Sequence, residues 1–206
     1  MTKKNPEPRS SQSIQPTTHK ITITAMLAAV AAVLMYLEFP VPFMPSFVKL
    51  DVSELPALLA SFSLGPIYGV IVCLIKNLFK LANTSSLGAG ELCNFLLGAC
   101  FVFPAGLIYR KMKNRNGALI GSIVGAVIMA VLSLPVNYFL TYPVYLTLYH
   151  MTTEQMVSMY QVIFSGVHNL FDCLLVFNVP FTLLKGFIDV AITFLIYKKL
   201  SPILHK

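Results

Sequence analysis

Five ionisable side chains, Lys49, Asp51, Glu54, Lys76 and Lys80, sit at the ends of the otherwise apolar stretch FVKLDVSELPALLASFSLGPIYGVIVCLIKNLFKL, Phe47 to Leu81. A Lys or Asp near a bilayer centre costs about 2.5 to 3.5 kcal/mol on insertion scales, so such charges face protein or a cavity. The same chemistry recurs late in the chain, where Lys185 and Asp189 stand one helical turn apart inside the apolar run from about Leu174 to Tyr197. Two readings are open there: an intrahelical pair that neutralises both groups, or a buried cation presented to a ligand carbonyl or anion. Asn137 and Thr182 add hydrogen-bonding groups in apolar surroundings. Such groups can hold the polar edge of a small molecule, but they do not form a reactive set. The sequence has no GxxxxGK[ST] phosphate loop, no HExxH and no GxSxG, and no carboxylate pair stands in an acid/base context. An intramembrane enzyme using Glu54, Lys76, Glu91 or Asp189 is the alternative from a different functional class.

The elements that must position these groups are helices. Asp51 or Ser53 can cap a first helix with Glu54 in its opening turn, where the helix dipole favours an anion. Gly65-Pro66 ends that helix and starts a second, from about Pro66 to Leu81. Lys76 and Lys80 share a face with Gly69 and Cys73, and either line a cavity or snorkel to the interface. With 206 residues, 56% hydrophobic and 11% charged, the chain is an all-α integral membrane protein, because soluble domains carry about 25% charged residues and unbroken apolar runs exclude a barrel. The apolar blocks predict a six-transmembrane-helix bundle over residues 20–206, made of five long spans and the shorter Glu54 to Leu64 helix. Residues 1–19, polar and rich in Ser, Thr and Pro, read as a disordered cytoplasmic tail.

The net charge of +7 reflects topology rather than nucleic-acid binding. Threading six spans from a cytoplasmic start puts 11 of the 15 basic residues on one side, as the positive-inside rule expects. The protein is thus read as multi-pass in the cell membrane with both termini cytoplasmic. The four cysteines lack ligand spacing and read as packing residues, and His168 lacks companions for a metal.

In the first span, Ala25, Ala28, Ala29 and Ala32 form two overlapping Ala-x3-Ala pairs, suited either to packing within the bundle or to docking of another helix. The fifth span runs from Gly117 to an outer end near Asn137, where Tyr138, Tyr142, Tyr145 and Tyr149 read as an aromatic interface belt or, with Asn137, as a cavity mouth. Met151 to Asp172 reads as an outer amphipathic lid with a stripe of Met156, Tyr160, Ile163, Phe164 and Val167. Lys49, Asp51, Asn137, Thr182 and Lys185 all fall near outer helix ends. They predict an outward-facing pocket for a flat, largely apolar molecule with a few hydrogen-bonding edges, stacked by Phe or Tyr since Trp is absent.

The Ala-rich AMLAAVAAV helix, the LDVSELPALLASFSLGPIYGVIVCLIKNL hairpin, GELCNFLLG, NYFLTYPVY and VPFTLLKGFIDVAITFLIYKKL together resemble the S-components of energy-coupling factor (ECF) vitamin transporters, especially the riboflavin-specific branch. The resemblance spans about Thr22 to Leu200. It implies capture of riboflavin from outside by a subunit with no cofactor or ATPase of its own. The partners it implies are a transmembrane coupling subunit and two cytoplasmic ATPase subunits. It places ligand contacts on Lys49, Leu50, Asp51, Asn137 and Lys185, and docking on Ala25, Ala28, Ala29 and Ala32. Thr182 stands where flavin-binding relatives usually carry Asn, which keeps a hydroxyl but loses an amide edge. Flavin mononucleotide, whose phosphate Lys49 and Lys80 could meet, and other vitamins therefore stay open as ligands.

Overall fold

The computed structural model describes residues 11–41, 44 and 48–204, with side-chain environments between residues 18 and 196. Helix α1 (Ser11–Tyr36) leads through a two-stranded ribbon, β1 (Phe39–Pro40) and β2 (Lys49–Leu50), into α2 (Glu54–Ser63) and α3 (Pro66–Leu81). The ribbon is antiparallel, with Phe39 opposite Leu50 and Pro40 opposite Lys49. Then follow α4 (Ala89–Met112), α5 (Arg115–Val136), α6 (Tyr142–Leu148), α7 (Thr153–Gln161), α8 (Leu170–Cys173) and α9 (Val179–Leu204). Two single π turns, Asn137–Thr141 and Leu174–Asn178, join α5 to α6 and α8 to α9 without breaking either rod.

Among the described residues, four helical stretches are long and apolar enough to cross a membrane: Thr18–Tyr36, Ala89–Met112, Arg115–Leu148 and Leu170–Ile196. The hairpin supplies no fifth long span. Its second arm, α3, has 16 residues, about 24 Å of helix against a core of about 30 Å. Helix α1 begins at Ser11, so helical backbone covers the later half of the predicted tail; extending an existing helix needs no new nucleus. Residues 1–10 lie outside the described residues.

The hairpin turns where the sequence predicts. Gly65 has φ 121°, a conformation open to glycine, and Pro66 opens α3. The cap of α2 differs in detail. Ser53 precedes the helix in a helical conformation without capping it, and Asp51 instead accepts the Ser53 backbone N–H at 2.9 Å.

Two apolar cores divide the molecule. One binds the bundle through residues such as Ala28, Leu58, Val72, Phe101, Ala126, Met129 and Val190. The other lies under α6, α7 and α8 and includes Tyr142, Tyr145, Met156, Tyr160, Val167 and Leu174. Helices α4 and α5 meet nearly backbone to backbone: a Cβ on Gly125 would lie 2.3 Å from the Phe101 carbonyl oxygen, and one on Gly121 would lie 2.6 Å from that of Ala105. Small residues permit this approach, on which helix association in lipid depends.

Three surface assignments change. The alanines of α1 do not share one face, since Ala28 is buried in the bundle core while Ala25 and Ala29 are exposed and Ala32 is half-buried. The 3.6-residue period explains the split: positions four apart stay together, whereas Ala28 and Ala29 diverge by about 100°. Tyr142 and Tyr145 are core residues rather than an interface belt, because the helix continues past Asn137 beneath α7. In the predicted lid, Thr152 and Gln155 form a reciprocal capping box that starts α7. Met156, Tyr160 and Val167 are buried, but Ile163 and Phe164 lie beyond the end of α7 and are exposed.

Candidate functional site

A cavity of about 870 Å3 opens between the β1–β2 ribbon, the amino end of α4, the α5–α6 junction and the amino half of α9. Ligand sites span about 300 to 1,000 Å3. Lys49, Asp51, Asn137, Thr182 and Lys185 all line it, with Met35, Leu97, Met129, Tyr142, Tyr145 and Phe181 as apolar and aromatic wall. Leu50 is not among the lining residues. Successive side chains in a strand point to opposite faces, so presenting Lys49 and Asp51 to the cavity turns Leu50 away.

Lys185 does not pair with Asp189, one of the two partners foreseen for it. Its Nζ donates to Asp51 Oδ2 at 2.7 Å and to Asn94 Oδ1 at 3.5 Å. A Lys placed N-terminal to an acid at this spacing is the weaker intrahelical orientation, and the ribbon supplies a nearer carboxylate. Asp189 is fully buried, and among the described residues neither carboxyl oxygen has a hydrogen-bond partner.

From Asp51 a polar chain runs inward. Asp51 Oδ1 accepts from the Ser53 hydroxyl as well as its backbone N–H. Lys76 Nζ donates to Ser53 Oγ and Glu54 Oε1, each at 2.6 Å, and Cys73 Sγ–H donates to Glu54 Oε2 at 3.4 Å. Lys76 and Glu54 have side-chain exposures of 0% and 1%, so Lys76 neither lines the cavity nor snorkels; it sits in the hairpin as the counter-ion of Glu54. Gly98 makes room for this pair, since a Cβ there would lie 2.8 Å from the Glu54 carboxylate.

At the mouth, Glu38 clasps two cations, Lys49 at 2.5 Å and Lys80 at 3.2 Å. Partial burial pushes the Glu38 carboxyl pKa up, but the hydrogen bonds and charges of Lys49 and Lys80 outweigh this and hold it below its usual value. The Lys80 ammonium also lies 4.5 Å from the Tyr36 ring centroid, within cation–π range.

Each π turn carries an amide of the cavity. Asn137 begins the first, and its Nδ2 donates to the Ser133 carbonyl at 2.8 Å. Asn178 ends the second, and its Oδ1 lies 3.2 Å from the Tyr142 hydroxyl and 3.3 Å from that of Tyr160, which are also within hydrogen-bond distance of each other, so the two hydroxyl protons serve two of these three contacts at a time. Single π turns often mark functional sites because they re-aim side chains without ending a helix. Sequence reasoning missed Asn178 and Asn94, and it named Glu91 only for the enzyme alternative, not for the cavity. The first two carried a readable signal, an amide inside an apolar run. Glu91, which accepts from Ser86 Oγ at 2.7 Å and Thr84 Oγ1 at 2.9 Å, is held within its own loop.

The charged lining balances, with Lys49, Lys80 and Lys185 against Glu38, Asp51 and Glu91. Such a cavity suits a neutral molecule with hydrogen-bonding edges and an apolar body. Among the described residues no cluster of His, Cys, Asp and Glu is arranged to hold a metal ion.

Residues 19–197 match the family described as "ECF transporter, substrate-specific component". The riboflavin transporter RibU of Staphylococcus aureus (strain TCH60) is 31% identical over 198 residues, covering 96% of this chain and 98% of that one. The riboflavin transporter FmnP of Bacillus subtilis (strain 168) is 28% identical over 186 residues, covering 89% and 92%. A solved S component of a bacterial ECF transporter superposes with a TM-score of 0.71 at 30% identity, covering 92% of this chain and 99% of that one. A membrane bundle enclosing a charge-balanced cavity, matched over nearly its whole length, is a transport component rather than an enzyme: the chain belongs to the family of substrate-specific components of ECF transporters.

Proposed function

We propose that this chain captures riboflavin from outside the cell and delivers it as the membrane-embedded binding subunit of an ECF transporter. The observation that carries the reading is the charge-balanced cavity, whose lining pairs neutral groups, Asn137, Thr182 and Asn178, with Phe181, Tyr142 and Tyr145. A flat ring system with carbonyl and N–H edges fits that lining, and the two relatives named as riboflavin transporters support the choice. In this reading α1 to α5 and α9 form six membrane-embedded helices, the cavity opens outward, and both termini are cytoplasmic. Energy comes from two separate ATPase subunits through a transmembrane coupling subunit.

Flavin mononucleotide is disfavoured by one feature, because Lys49 and Lys80 are both already engaged by Glu38 at the mouth, and a phosphate would have to compete with that carboxylate for them. Titration of the purified protein, freed of bound flavin, is expected to give saturable quenching of riboflavin fluorescence near one ligand per chain. Flavin mononucleotide should compete at least tenfold more weakly, a difference of about 1.4 kcal/mol. Absence of quenching at micromolar riboflavin would sink the proposal, and a tighter mononucleotide would reassign its ligand.

Docking on the coupling subunit falls to the exposed pair Ala25 and Ala29. Ala29→Leu should leave flavin binding by the isolated chain intact and abolish its co-purification with the coupling subunit. Ala28→Leu should instead lower the melting temperature, since overpacking a close-packed core costs about 1 to 3 kcal/mol. Co-purification unchanged by Ala29→Leu would place docking on another face.

A further inference from the structure

A second cavity, of about 520 Å3, lies between α1, the α2–α3 turn and the carboxyl end of α4. It is at the other end of the bundle from the first, since Asn94 and Tyr109 stand 15 residues apart on α4, about 22 Å of helix. Among the described residues its charged lining is wholly cationic, Lys20, Arg110 and Lys113, with no carboxylate. None of the three forms an ion pair among the described residues. The cations converge from two helices, Lys20 from within α1 and Arg110 and Lys113 from the carboxyl end of α4, and the amino end of α3, the positive end of its dipole, meets them at Gly65 and Pro66.

The carboxyl end of α4 attracts cations on its own account, which would explain Arg110 and Lys111. It does not explain Lys20, which comes from α1 and lies over the Tyr68 ring at 5.8 Å. The cavity also has an apolar side, with Leu64, Phe62 and the exposed Ile67 in its lining. A cationic cup with an apolar, outward-facing wall matches a phosphate whose molecule continues into acyl chains.

We infer that this cavity binds the phosphate of an anionic phospholipid headgroup, held by Lys20, Arg110 and Lys113 with an acyl chain along Ile67. Basic pockets between membrane helices are the usual seat of such headgroups. The site is independent of the flavin cavity and of the ligand assigned to it. A free phosphate ion shares the headgroup chemistry but gains nothing from Ile67 or Leu64.

The test is native mass spectrometry of the protein released from bilayers of equal phosphatidylglycerol and phosphatidylcholine. The wild-type protein should retain phosphatidylglycerol several-fold over phosphatidylcholine. The Arg110→Gln/Lys113→Gln variant should fall to parity, while Lys111→Gln, on the same helix end but outside the cavity, should keep the preference. A melting temperature in detergent close to that of the wild type establishes that each variant is folded. Parity in the wild type, or equal loss in the Lys111→Gln control, overturns the inference. Thermal stabilisation by inorganic phosphate that vanishes in the double variant, without any lipid preference, would overturn the lipid source and leave a site for free phosphate.

Discussion

Lys76→Met is expected to destabilise the protein by about 3 to 5 kcal/mol, the loss found when one member of a buried ion pair is removed and the other stays charged without a partner. Lys76 is wholly buried and holds both Glu54 and Ser53, so the substitution strands a carboxylate and unties a hydroxyl already committed to Asp51. The double substitution Lys76→Met/Glu54→Leu should recover most of the loss, because well-packed apolar replacements of a buried pair are often neutral or stabilising. Thermal unfolding in detergent measures both. A single variant that melts like the wild type would show that the pair carries no stability, and a double variant no better than the single would show that the hairpin needs the charges themselves. The second outcome would tie the pair to the position of Asp51 rather than to the bundle.

The hairpin was the most legible part of the sequence. Gly65-Pro66 fixes its turn by local chemistry, and five charges in an apolar stretch announce that the hairpin is enclosed by protein. The pairing of those charges was not legible. Lys76 and Glu54 are 22 residues apart, and Lys185 and Asp51 are 134, so no periodicity connects either pair. The choice between the alternatives at Asp189 and Ala28 was not legible for a related reason: spacing along one helix shows which residues share its face, but only the neighbouring helices decide whether that face is core, cavity or lipid. Helix α5 shows the limit of length arguments. About 20 residues from Gly117 cross the core and put an outer end near Asn137, yet the helical stretch runs on through Pro135 and Pro143, spanning Arg115–Leu148. A π turn absorbs the disruption, with the Tyr142 N–H reaching five residues back to the Asn137 carbonyl. Tertiary packing of Tyr142 and Tyr145 under α7 then stabilises a continuation that local propensity does not demand.

The polar anchors of the cavity were accessible through one argument, that polar side chains in apolar helices are expensive and therefore used. It found Asp51, Asn137, Thr182 and Lys185, all lining residues. Applied without exception, it would also have found Asn94 and Asn178. Leu50, which entered through resemblance alone, is not among the lining residues.

Lys185→Met is expected to weaken riboflavin binding by about 2 to 5 kcal/mol, or roughly 30-fold to several thousand-fold, the range for truncating one member of a buried, hydrogen-bonded charge pair at an interface. Two causes would contribute. The substitution removes a donor from the cavity, and it leaves Asp51, otherwise bonded within its own loop to Ser53, as an uncompensated anion facing the ligand. The double variant Lys185→Met/Asp51→Asn separates them, since it removes the donor and the stranded charge together. If Lys185 touches the ligand, affinity in the double variant should stay close to that of Lys185→Met. If Lys185 acts only by neutralising Asp51, the double variant should regain most of the wild-type affinity, and Lys185 becomes a positioning residue that keeps the ribbon loop closed on the cavity. Fluorescence titration with riboflavin measures all three affinities. Wild-type binding in Lys185→Met alone would remove this residue from the site and leave Asn137, Asn178 and Thr182 to hold the ligand.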